Sequence, residues 1–90
     1  MNKIDELKTE YERLMRKLKT ERDELQLKAH LASLELQQEW RQTEQSWEKF
    51  KFKVSRLGKE AEHSADEIGE VLNLLGQELK DSYKRFKKIF

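Results

Sequence analysis

The side chains in this sequence that could do chemistry are few, and the histidines are the first to consider. Glu60 and His63 form a Glu-x-x-His pair, the spacing at which a bundle helix presents two metal ligands on one face. A di-metal site of that kind needs a second such pair and two further glutamates, and the chain has one pair only. His30 stands alone beside an apolar stretch. We therefore expect no metal ion and no cofactor.

The hydroxyl side chains give no catalytic pattern either. None of the serines has a spacing to histidine and acid residues that indicates a nucleophile with its base; they are Ser33, Ser46, Ser55, Ser64 and Ser82. A glycine-rich phosphate loop is missing from the sequence. We expect that the protein is not an enzyme.

Residues 49–53, with the sequence KFKFK, alternate basic and aromatic side chains as single-strand nucleic-acid sites do. On a helix, however, Phe50 and Phe52 point about 200° apart and cannot form one stacking row. We assign Phe50 to the core. The net charge of +1 is too small to attract nucleic acid, so nucleic acid is an unlikely partner.

The elements that must position these residues are helices. The chain has no proline, and its first glycine is Gly58. Residues 1–57 therefore lack both strong helix breakers and are rich in Leu, Glu, Lys, Gln and Arg. The sequence predicts an all-α fold whose first element is one long helix over about residues 2–57, which would run roughly 80–85 Å.

Apolar side chains in the long helix follow two patterns. Ile4, Leu7, Tyr11, Leu14 and Leu18 alternate three and four apart, which indicates a coiled-coil seam. Further along, a second stripe adds side chains to another face of the helix, and its members are Leu27, Leu31 and Leu34. A helix that is apolar on more than one side must be covered on more than one side.

Residues 58–63, which begin with Gly58, are predicted to form a turn. A second helix follows, which begins at about residue 59 or 64 and continues to about 89 or 90. Folding the chain back at Gly58 gives a single-domain antiparallel helical hairpin over residues 1–90. The expected hairpin core consists of Trp40, Trp47, Gly69, Gly76, Leu72, Leu79 and Phe86.

The expected register places large side chains opposite small ones. Trp47 would face Gly69 and Trp40 would face Gly76, which would explain two glycines inside a helix, where each costs about 1 kcal/mol against alanine. A six-residue loop would instead pair Trp47 with Leu72 or Leu75.

A second helix of this length covers only about residues 29–57 of the first, so the seam from Ile4 to Leu25 would stay bare. We therefore expect a homo-oligomer, an antiparallel dimer in which helices cross at the second stripe, with a parallel dimer or four-chain bundle as the alternative. The expected oligomer interface contains Ile4, Leu7, Tyr11, Leu14, Leu18, Leu27, Leu31 and Leu34.

The C-terminal segment has an amphipathic character that suits a second kind of partner. Tyr83, Phe86, Ile89 and Phe90 lie on an apolar face, and lysines fill the polar face, as in helices that bind anionic membrane surfaces. The preferred interpretation is that this face packs on the first helix and that the lysines complement the helix dipole. No apolar run is long enough to span a membrane and no secretory signal is visible, so we expect a cytoplasmic protein.

Three blocks of sequence resemble small all-helical bacterial proteins of unknown function, some of them described as stress-response proteins: ERDELQLKAHLASLELQQEW at 21–40, SWEKFK at 46–51 and LLGQELKDSYKRF at 74–86. The resemblance implies a helical bacterial protein with a possible link to stress. The helical pattern and the bare seam favour an oligomeric coiled-coil scaffold or protein-interaction module. The alternative function is a peripheral membrane-associating or stress-protective protein.

Overall fold

The computed structural model describes residues 3–57 and 65–90, and these residues form three α-helices packed against one another. The helices are α1 (Lys3–Ala29), α2 (Leu34–Ser55) and α3 (Ala65–Ile89). The described ranges contain no β-strand, so the predicted all-α class is confirmed. Gly58, the predicted turn at 58–63 and Ser64 lie outside the described residues.

The prediction of one continuous helix over residues 2–57 is wrong, because the chain turns at residues 30–33. At the end of α1 the N–H groups of Leu31 and Ala32 donate to the carbonyls three residues earlier, those of Lys28 and Ala29, at 3.1 Å each. Such short-range bonds tighten the last turn of a helix and end it.

Ser33 starts α2 as its N-cap. Its backbone is extended, and its hydroxyl accepts a hydrogen bond from the N–H of Leu36 at 3.3 Å. The side-chain amide of Gln37 donates to the carbonyls of His30 and Ala32 at 3.2 and 3.1 Å, which satisfies groups that the turn leaves without helical partners. Side chains therefore stabilise this break without glycine or proline, and a search for those two breakers could not find it.

Contacts between the helices establish their directions. Between α1 and α3, Leu7 lies beside Gly69 and Glu21 pairs with Lys87. Between α1 and α2, Arg22 pairs with Glu44. Between α2 and α3, Trp40 packs on Phe86. Residue numbers rise together along α1 and α3 and run in the opposite sense along α2. The molecule is an up-down-up three-helix bundle with extents of 45 × 19 × 17 Å.

The core lies along the axis of the bundle and takes side chains from every helix. Its buried apolar members are Tyr11, Leu18, Leu25, Ala29, Trp40, Trp47, Phe50, Val54, Leu57, Leu72, Leu79, Tyr83 and Phe86. Phe86 packs edge-to-face on Trp40 at 5.3 Å between ring centroids, a geometry that aromatic quadrupoles favour. The aromatic side chains predicted for the hairpin core, Trp40, Trp47 and Phe86, are buried, as are Leu72 and Leu79.

The expectation of a bare seam on α1 is also wrong. Tyr11, Leu18 and Leu25 are buried within the single chain, and Leu7 and Leu14 pack against the same core. The break at residues 30–33 allows α1 to lie beside α3, which covers the seam that a straight helix would have left in water. The side chain of Ile4 lies outside the described part of the structure. The oligomer stays a prediction, but the seam no longer supports it.

The predicted pairing of tryptophans with glycines is not observed. A methyl group at Gly69 would meet Leu7, and one at Gly76 would meet Leu14 at 3.1 Å and Phe50 at 3.7 Å. The side chain that approaches most closely at each glycine therefore comes from α1, a helix that the predicted hairpin did not place there.

Candidate functional site

Three exposed leucines lie at and beside the turn between α1 and α2. Leu27, Leu31 and Leu34 are 73%, 90% and 81% exposed. Single exposed leucines are common on protein surfaces, whereas three exposed leucines this close in the chain make the turn a candidate interaction surface. We call these three residues the leucine turn.

Local geometry explains why these leucines point outward. Leu25 and Ala29 face the core, and Leu27 lies two positions from each of them, about 200° around the helix. Leu31 belongs to the non-helical turn, and Leu34 is the first residue of α2. The same turn that brings α2 onto α1 therefore leaves the second stripe uncovered.

Charged side chains of both signs flank the leucine turn. Glu24 and Lys28 near the end of α1, and Glu35 in the first turn of α2, are all exposed. None of these three side chains has an ion-pair partner within residues 3–57 and 65–90. Protein-binding surfaces commonly have an apolar centre and a polar rim. The leucines and the unpaired charges around them have this arrangement.

A partly buried ion pair joins α1 to α2 away from the turn. Arg22 donates two hydrogen bonds to the carboxylate of Glu44, at 2.8 and 2.6 Å, and a third to Asp23 at 3.0 Å. The bonds to Glu44 are the main reason that the pKa of Arg22 rises above its usual value. The guanidinium therefore stays charged, and the planar two-point contact sets the register of the two helices.

The two tyrosines of the core differ in how their hydroxyl groups are satisfied. Tyr11 donates to the carbonyl of Gly69 at 3.2 Å. The hydroxyl of Tyr83 is buried and has no hydrogen-bond partner among the described residues. Burial raises the pKa of both tyrosines, and Glu44 adds to the rise at Tyr83. Both hydroxyls therefore stay protonated at neutral pH.

Only some of the residues considered for catalysis or metal binding lie in the part of the chain that the structure describes. Glu60 and His63 lie outside the described residues, and His30 is exposed. Ser33 caps α2, and Ser55 donates to the carbonyl of Phe52 at 2.7 Å. Within the described ranges no three His, Cys, Asp or Glu side chains gather as metal ligands.

Sequence reasoning missed a second surface, at the opposite end of the bundle. Phe50 is buried as predicted, but Phe52 is exposed and borders an open groove between α2 and α3. The wide separation of Phe50 and Phe52 on a helix already indicated that one of them must face away from the core. The position of the facing wall, which includes Val71 on α3, could not be read from the sequence.

None of the helices in the described ranges has the length and apolar character needed to cross a membrane. Compared with models of protein families, with curated proteins and with solved structures, the chain matches none.

Proposed function

We propose that the protein is a non-enzymatic interaction module that associates with further copies of itself, and that the leucine turn is a contact surface. The observation that carries this proposal is the exposure of Leu27, Leu31 and Leu34 at and beside the turn between α1 and α2. Burying a leucine side chain contributes about 1.5–3 kcal/mol, so covering three of them offers a substantial driving force for association.

A protein partner fits this surface better than a lipid surface does. Glu24 and Glu35 flank the leucines and would be repelled by anionic headgroups. The alternative membrane role was predicted from the apolar face of the C-terminal helix, and Tyr83 and Phe86 of that face are buried against the other helices. These two observations favour the interaction module over the membrane-associating protein.

Sedimentation velocity over a range of concentrations tests the proposal. We expect the wild-type protein to associate at micromolar concentration and Leu31→Glu to weaken that association, because the substitution would place a charge in an apolar contact. The matched control is Gln45→Glu, since Gln45 is exposed near the middle of α2 and lies away from the turn.

Association that is equally weakened by both substitutions would contradict the assignment of the leucine turn. A wild-type protein that stays monomeric, but binds anionic vesicles and loses that binding in Leu31→Glu, would replace the proposal by the membrane alternative. Circular dichroism of each variant shows whether the bundle is intact.

A further inference from the structure

The end of the bundle opposite to the leucine turn carries an open groove of about 430 Å³ between the end of α2 and the start of α3. Its two walls are Phe52 on α2 and Val71 on α3, which are 59% and 42% exposed. Ile68 and the buried Leu57 continue the apolar lining between them. A groove of this size and composition accepts a small group of apolar side chains.

The rim of the groove is basic on the α2 side. Lys53 and Arg56 both line it, and the guanidinium of Arg56 lies 5.3 Å from the centre of the Phe52 ring. Glu67 contributes an acid on the α3 side. The groove therefore fits an apolar segment that brings a carboxylate to the α2 wall.

The leucine turn has the complementary chemistry. It presents three aliphatic side chains, and Glu35 follows Leu34 directly on the exposed start of α2. One copy cannot use both surfaces on itself, because the 22 residues of α2 separate them by about 33 Å. A second copy can reach the groove with its own leucine turn.

We infer that the leucine turn of one copy docks into the groove of the next copy, with Glu35 facing Lys53. This inference rests on the proposed self-association and names its geometry. The contact joins two different surfaces, so each added copy leaves one leucine turn and one groove free. Such head-to-tail contacts extend into open chains unless their rotation happens to close a ring.

Two blocked variants test the geometry. Leu31→Glu blocks the turn and leaves the groove intact, whereas Val71→Glu blocks the groove and leaves the turn intact. Head-to-tail docking predicts that wild-type protein grows beyond a dimer as concentration rises. Each variant alone should associate about tenfold more weakly or worse, because each lacks one half of the contact.

The decisive sample is an equal mixture of the two variants. It contains one intact turn and one intact groove on different molecules, so it should form a dimer that cannot grow. Gln45→Glu is the control for adding an exposed glutamate, because Gln45 is exposed near the middle of α2, away from both surfaces, and it should assemble like the wild type. Phe52→Gln is a second groove variant, in case Val71→Glu loses helicity by circular dichroism.

The outcomes separate this inference from the proposed function. If Val71→Glu and Phe52→Gln associate like the wild type, the leucine turn pairs with something other than the groove, and the head-to-tail inference fails while self-association stands. A mixture that forms no dimer also overturns the inference. If the wild-type protein is monomeric at every concentration, both the inference and the proposed function fail.

Discussion

At the scale of single residues, the hydroxyl groups of Tyr11 and Tyr83 are the most informative polar atoms of the core. Both tyrosines are buried, yet of the two only the Tyr11 hydroxyl has an acceptor among the described residues, the carbonyl of Gly69. An unpaired buried polar group costs free energy, whereas a satisfied one contributes modestly. The same chemical change at the two positions should therefore have different effects on stability.

We expect Tyr11→Phe to lower the free energy of unfolding by about 1 kcal/mol, since it removes one hydrogen bond. Tyr83→Phe should leave the stability unchanged or raise it, because it removes a buried hydroxyl without a partner among the described residues. Urea denaturation of the two variants measures both values. A larger loss for Tyr83→Phe than for Tyr11→Phe would mean that the Tyr83 hydroxyl is satisfied in solution.

The raised pKa of Tyr83 predicts a loss of stability at alkaline pH. The pKa of Tyr83 in the folded state lies above the unfolded value of about 10. The stability that comes from keeping this hydroxyl protonated is therefore fully present below that pH and is lost as the pH rises through the folded pKa. Within that window stability should fall by up to about 1.4 kcal/mol per pH unit for this group.

Tyr83→Phe provides the control for this alkaline effect, because lysines titrate in the same range. The wild type should lose more stability than Tyr83→Phe when urea denaturation is repeated at increasing pH above about 9. Equal slopes for the two proteins would rule out the contribution of Tyr83.

At the scale of elements, the two glycines of α3 face α1, but their contacts with it differ in closeness. A methyl group at Gly69 would lie 3.6 Å from Leu7, an ordinary contact, whereas one at Gly76 would lie 3.1 Å from Leu14. Gly76 therefore has a packing reason to be glycine that Gly69 lacks.

Substitution of each glycine by alanine tests this packing. Alanine is favoured over glycine in a helix by about 1 kcal/mol, so Gly69→Ala should stabilise the protein by roughly 0.5–1 kcal/mol. Gly76→Ala should gain less or lose stability, because Leu14 must shift to admit the methyl group. Thermal and urea unfolding measure the difference; an equal gain at both positions would contradict the contact between Gly76 and Leu14.

The break between α1 and α2 decides how the elements are arranged, and its signal in the sequence is weak. Ser33 is a good N-cap residue, but serine also occurs inside helices, and position 36 holds Leu where a capping box would have Glu or Gln. The stabilising role of Gln37 depends on the turn being formed already. Local pattern alone therefore left the continuous helix as the expected structure.

At the scale of the whole molecule, the bundle differs from a straight-helix assembly in the distance between α1 and α2. Thr20 and Gln45 are exposed on the two helices that Arg22 and Glu44 hold together. In one continuous helix their Cα atoms would be about 38 Å apart, whereas packed helices have axes about 8–10 Å apart.

Spin labels at Thr20→Cys and Gln45→Cys measure this distance directly, since the chain has no other cysteine. We expect a separation below about 20 Å between the labels, given the spacing of packed helices. Dilution with unlabelled protein removes distances between copies. A main distance near that of the continuous helix would contradict the three-helix bundle.

Some properties of this protein follow from the sequence by itself. The high content of helix formers without proline determines the all-α class, and the spacing of Trp40, Trp47, Leu72, Leu79 and Phe86 identifies the core faces of α2 and α3. These features depend on local conformational preference and on the 3.6-residue period, so no knowledge of the partner helix is needed to find them.

Only the tertiary structure decided what covers each apolar face. Leu18 and Leu25 would be buried equally well by a second chain or by α3, and the sequence pattern is identical in both cases. In the structure these two leucines are buried within one chain, because the turn at residues 30–33 lets α1, α2 and α3 pack their apolar faces against one another. This arrangement leaves Leu27, Leu31 and Leu34 exposed to water. Burial depends on which helices pack together, and the local conformational preference of the residues does not specify the packing partner.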